Sequence, residues 1–124
     1  MGAASALTEN DRAIRRFARR LRDDLGLEYV FLYGSHARGC AATDSDYDLV
    51  LVGKTFSGVP LPSRPIGLHD LFYEVGGNAP LDLICLTPDE FEAARGRATF
   101  VASVLPEAID LLATEEETSS TAHS

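Results

Sequence analysis

Apolar residues recur along this chain in two rhythms, and the change of rhythm marks its elements. Within residues 8–25, Ile14, Phe17, Ala18, Leu21 and Leu25 follow the i, i+3, i+4, i+7, i+11 spacing of one helical face. Thr8 with Asp11 resembles a capping arrangement at its start, and Gly26 fits its stop. The rhythm then changes. Tyr29–Tyr33 is an aromatic and β-branched run that predicts a buried strand. Tyr47–Val52 predicts the next strand and Leu81–Leu86 a third.

Between these strands the pattern predicts a turn with a short helix over 34–40 and a loop over 53–65, rich in proline and glycine. A helix is predicted over 66–75, with Leu68, Leu71, Phe72 and Val75 apolar. Thr87-Pro88-Asp89-Glu90 carries the signature of a helix start: an N-cap residue, a proline in the first turn, then acids. That helix is expected to run toward Arg97 and on toward Leu105, until Pro106 interrupts it. Ile109, Leu111 and Leu112 suit a last short strand. The order is that of an α/β sheet packed against helices, in a single domain over 8–112. Residues 1–7 read as a leader and 113–124 as a disordered acidic, Ser/Thr-rich tail.

Composition narrows the function. The chain has 124 residues, enough for one domain, and a formal charge of −8. Broad nonspecific nucleic-acid binding rests on Lys and Arg against phosphate and is not expected of such a protein. Six of its eleven basic residues are nonetheless arginines of the first helix: Arg12, Arg15, Arg16, Arg19, Arg20 and Arg22. They form either a solvated face offset by Asp11, Asp23 and Asp24 or a docking surface for an acidic partner or RNA. No apolar run of 18 residues suggests a membrane span, and no secretory signal opens the chain, so the protein is expected in the cytoplasm. Cys40 and Cys85 are expected to be reduced there and match no zinc pattern.

The candidate chemistry is concentrated at the first turn. Gly34-Ser35-His36-Ala37-Arg38-Gly39 follows the first strand. Gly34 has no Cβ, so another group can approach the backbone, and Ser35 adds a hydroxyl. Such a turn suits phosphate oxygens. Asp46 and Asp48 stand two apart at the next strand, on one face and about 6.6 Å apart at ~3.3 Å per residue. Carboxylates so placed can bridge paired metals, which lie about 3.5–4 Å apart. Asp82 is the single charge in the third strand, and burying it unpaired would cost several kcal/mol. A metal would remove that cost; a place at the strand end would avoid it.

Gly34-Ser35, ten residues, then Asp46-Tyr47-Asp48 resembles the G-S-x10-D-x-D signature of the DNA polymerase β-like nucleotidyltransferase superfamily. Within it, the small size resembles the minimal nucleotidyltransferase (MNT) antitoxins. The resemblance spans roughly residues 10–112, and Asp82 matches the third metal carboxylate. It implies a mixed β-sheet of the polymerase β type. It also implies two Mg2+ ions held by Asp46, Asp48 and Asp82, the last beside the metal that activates an acceptor hydroxyl. Gly34 and Ser35 would grip the β- and γ-phosphates of ATP. Arg38 is near enough in sequence to join them as a bidentate donor, or to pair with Asp44 at the surface.

The same resemblance implies a HEPN-domain partner, typically a ribonuclease toxin, whose tyrosine hydroxyl would receive AMP in a type VII (HEPN/MNT) toxin–antitoxin pair. Alternatives are an antibiotic-type nucleotidyltransferase acting on a small hydroxylated molecule, and a noncatalytic module that neutralises its partner by contact. Around the motif, Asp44 suits a turn cap, His36 invites a minor acid/base reading, and Lys54 follows the second strand within possible reach of a triphosphate. Tyr33 and Tyr47 are expected to pack.

Overall fold

The computed structural model describes residues 8–39 and 46–113. The expectations for the leader, Cys40, Asp44 and the acidic tail beyond Ala113 fall outside them. Helix α1, Glu9–Leu25, starts at Thr8 with a reciprocal capping box. The Asp11 amide donates to Thr8 Oγ1 at 3.0 Å, and the Thr8 amide donates to Asp11 Oδ2 at 3.1 Å. Gly26, left-handed at φ 70°, ends the helix. Strand β1 is Tyr29–Tyr33, helix α2 is the single turn Ser35–Arg38, and strand β2 is Tyr47–Val52. Helix α3, Leu68–Glu74, leads to strand β3, Leu81–Leu86.

The next predicted helix is two. Helix α4, Pro88–Arg95, stops at Gly96, and helix α5, Phe100–Val104, starts afresh. Thr99 makes the break. Its hydroxyl donates to the Ala94 carbonyl at 2.7 Å and accepts from the Ala102 amide at 3.1 Å. A threonine that bonds backbone on both sides competes with a continuous helix. The last strand, β4, is only Ile109–Asp110. Asp110 Oδ1 accepts the amides of Leu112 and Ala113, both at 3.1 Å, and turns the chain out of the sheet.

The four strands form one mixed sheet in the order β3-β2-β1-β4. β1 is antiparallel to β2 and β4, whereas β2 and β3 are parallel. Both faces are covered. On one, Ala13, Ile14, Phe17, Ala18 and Leu21 of α1 and Phe72 of α3 pack on Val30, Leu32, Tyr47, Leu49 and Leu51. On the other, Phe91 of α4 and Val101 of α5 pack on Tyr33, Val50 and Val52. Two buried faces explain why β2 is apolar almost throughout. They also single out Asp48, which shares a face with Val50 and Val52 and stands where that core ends.

A loop residue ties the sheet edge to α4. Arg64 donates to the carbonyls of Val59 at 2.8 Å and Cys85 at 3.0 Å, and pairs with both oxygens of Glu90 at 2.6 and 3.2 Å. Glu90 also accepts the Thr87 amide at 2.9 Å, closing the α4 capping box. Together these bonds hold the Glu90 carboxyl down at about 2. Nothing in the local pattern around Arg64 marked it. Buried Cys85 is a free thiol pushed up to about 11 by its burial, against the pull of Arg64.

Candidate active site

The predicted turn and carboxylates meet at one end of the sheet, where β1 ends and β2 and β3 begin. Tyr33, the last residue of β1, is the register partner of Asp48, and Asp48 is the register partner of Asp82. Neighbouring strands lie about 4.8 Å apart, so the two carboxylates start side by side on one face. Asp46 comes two residues earlier on the same chain. Gly34 follows Tyr33 at φ 81°, a conformation that a side chain rarely adopts. A Cβ at Gly34 would overlap Asp48 Oδ2 and lie 3.3 Å from Asp48 Cγ. The glycine is therefore what lets a carboxylate lie against the turn.

The electrostatics agree with this convergence. The Asp48 carboxyl is raised above its ordinary range, first by burial, then by the negative charges of Asp82 and Asp46. His36 opposes that shift. The Tyr33 phenol is pushed up to about 12 by burial, then by Asp48 and Asp82. The negative charges of Asp82 and Asp46 acting on Asp48 are of the kind a divalent cation would relieve.

The fit to metal is one of residue type and register. Among the described residues no three His, Cys, Asp or Glu side chains converge closely enough to hold a metal ion. Asp48 and Asp82 are the side-by-side pair, and Asp46 precedes β2 in an exposed position. Of the two places the sequence left open for Asp82, buried beside a metal or set at a strand end, the structure has the second. It is exposed, as the second residue of an edge strand. Its place there needs no metal to offset desolvation, and the case for it rests on the Asp48 pairing instead.

Other expectations divide. Ser35 opens α2 beside Gly34, as predicted. Arg38 bonds Glu107 at 3.3 Å, across to the turn before β4; its expected surface partner Asp44 is among the residues not described. Lys54 lies past the far end of β2, a strand whose six residues span about 20 Å, and so away from the carboxylates. His69 is exposed, with Nε2 3.2 Å from the Ala79 carbonyl. His36 and Tyr47 pack as a pair: their rings stack at 3.7 Å with planes 10° apart.

The arginines of α1 are largely engaged within the molecule. Arg12 and Arg16 pair with Glu9, Arg20 with Asp24 and Glu74, and Arg22 with Asp23. Arg16 also donates to the Val75 carbonyl at 2.8 Å. Through Arg16 and Arg20, this face binds the C-terminal end of α3.

A glycine turn against a strand carboxylate, with a second carboxylate in register, is the arrangement that the sequence motif implied. The family model described as "Nucleotidyltransferase domain" matches residues 14–122. The chain belongs to this family. The polymerase β-like superfamily is thereby shown, and the mixed sheet agrees with it. No curated protein matches the chain. Among solved structures, a presumed nucleotidyltransferase from Sulfolobus solfataricus is similar at 20% identity with a TM-score of 0.43. That match covers 72% of this chain and 83% of the other. The likeness is too loose to carry any inference about substrate.

Among the described residues no helix is long and apolar enough to cross a membrane.

Proposed function

We propose that this nucleotidyltransferase domain moves AMP from ATP, with Mg2+, to a tyrosine hydroxyl of a HEPN-domain toxin, as the antitoxin of a type VII pair in the cytoplasm. The observation that carries the catalytic part is the shared position of Asp48, in register with Asp82 on one side and overlapping the missing Cβ of Gly34 on the other. The finer reading, partner and acceptor, rests on the small size of the chain, which resembles that of the minimal nucleotidyltransferases within the superfamily that the Gly34-Ser35…Asp46-Tyr47-Asp48 motif resembles.

In this reading the Gly34–Ser35 turn receives the β- and γ-phosphates. Its close approach to Asp48 sets the phosphates next to the carboxylates. Asp46, Asp48 and Asp82 would hold magnesium, and Asp82, exposed on edge strand β3, would help hold the ion that activates the acceptor hydroxyl. Bound magnesium would offset charge on the transferring phosphoryl group and the departing pyrophosphate and make the acceptor hydroxyl more acidic. The hydroxyl oxygen bonds to the α-phosphorus as the bond to pyrophosphate breaks, and the proton leaves to solvent.

The test is incubation with labelled ATP and Mg2+, with and without the co-expressed neighbouring gene product, followed by mass analysis of that product. A gain of one or more AMP groups on a tyrosine supports the reading. Label on a small hydroxylated acceptor instead would favour the antibiotic-type alternative. Binding and silencing of the partner without label would leave a contact-only module.

A further inference from the structure

The turn that carries Gly34 and Ser35 is a single helical turn, too short to hold its own shape by backbone bonds alone. What braces it is the next residue. The His36 side chain is only 10% exposed and lies flat on Tyr47, with ring centroids 3.7 Å apart and planes 10° apart. Tyr47 is itself buried, between Asp46 and Asp48 at the start of β2. Its hydroxyl donates to Asp11 Oδ1 at 2.6 Å. The same oxygen lies 3.9 Å from His36 Nδ1. The other oxygen, Oδ2, is held by the capping box of α1.

We propose that His36 is a positioning residue: stacked on Tyr47 and facing Asp11, its ring locks the Gly34–Ser35 turn in register with the Asp46–Asp48 segment. The chain of contacts runs from the capped end of α1 through Asp11 to Tyr47 and His36, and so to the turn. Each link is a side chain with a fixed partner. The main-chain neighbours of Tyr47 are two of the carboxylates, and the main-chain neighbours of His36 include Ser35. A stack between the two rings therefore sets the distance between the phosphate turn and the acidic segment. Its role in nucleotide binding rests on the nucleotidyltransferase reading above; its role in ordering the turn does not.

The experiment compares wild type, His36→Ala, His36→Phe and His36→Leu by amide hydrogen exchange over residues 33–39 and by titration with ATP and Mg2+. Phe keeps a flat ring, and Leu fills space without one. The expected result is faster exchange and roughly tenfold weaker ATP binding for Ala and Leu, with Phe close to wild type. If Ala does not fold, Leu carries the same comparison. Slow exchange retained by Leu, or loss in Phe as large as in Leu, would overturn the proposal. If wild type binds no nucleotide, the nucleotidyltransferase reading fails, and the exchange data still decide whether the stack orders the turn.

Discussion

Asp48 occupies the space that a side chain at Gly34 would need: a Cβ built on the glycine overlaps Asp48 Oδ2. The turn and the carboxylate are thus fitted to each other, and neither can be changed in size without moving the other. Gly34→Ala should accordingly cost about 1–3 kcal/mol, from the positive φ and from the displaced carboxylate. ATP binding should fall with it. Chemical denaturation and nucleotide titration check this together; an alanine variant with wild-type values in both would remove the fitted turn.

Asp48→Asn should act in opposite directions on stability and activity. The asparagine removes a charge that burial and the neighbouring Asp82 and Asp46 disfavour, so the ligand-free protein should melt at the same temperature or higher. Magnesium-dependent transfer should be lost. A melting curve and a labelled-ATP assay on one preparation suffice, and transfer near wild type would exclude Asp48 as a metal carboxylate.

The Arg64–Glu90 bridge should appear as an acid-sensitive contribution to stability. The Glu90 carboxyl is held at about 2, by the Arg64 hydrogen bonds first and the Thr87 amide next. A depressed folded value means the contribution is complete above the unfolded value near 4.5 and is lost as pH falls toward 2. Glu90→Gln should lower the melting temperature at neutral pH, with the gap to wild type narrowing below pH 4.5 and closing only as pH falls through about 2. Parallel curves over the whole range would contradict the bridge.

Gly77→Ala tests the packing beneath α3. A Cβ at this buried glycine would strike the ring of Phe72, which is fully buried against Phe17 at a ring distance of 5.4 Å. With no room to yield, the substitution should cost about 1–3 kcal/mol. Urea unfolding measures it, and a neutral result would mean that the Phe72 ring can shift.

The local pattern determined the elements. Strands Tyr29–Tyr33, Tyr47–Val52 and Leu81–Leu86 lie where their apolar runs predict them, because short runs bounded by Gly, Pro or Asp leave little choice of ends. The capping box of Thr8 and Asp11 and the Gly26 stop were legible for the same reason: they are local bonds among neighbours. The types and spacing of Gly34, Ser35, Asp46, Asp48 and Asp82 likewise point to phosphate and metal from the sequence by itself.

What the tertiary structure alone decided is who stands beside whom. Asp82 is exposed and not buried, because strand order put β3 at the edge of the sheet. Lys54 falls at the wrong end of β2 because β2 runs away from the site. Arg64 becomes a bridge only when a loop folds back onto β3 and α4, and Thr99 breaks a helix by bonding a carbonyl five residues behind it. Sequence spacing fixes which side chains share an element's face; register, strand order and loop return fix which faces meet, and those depend on the packing of the whole chain.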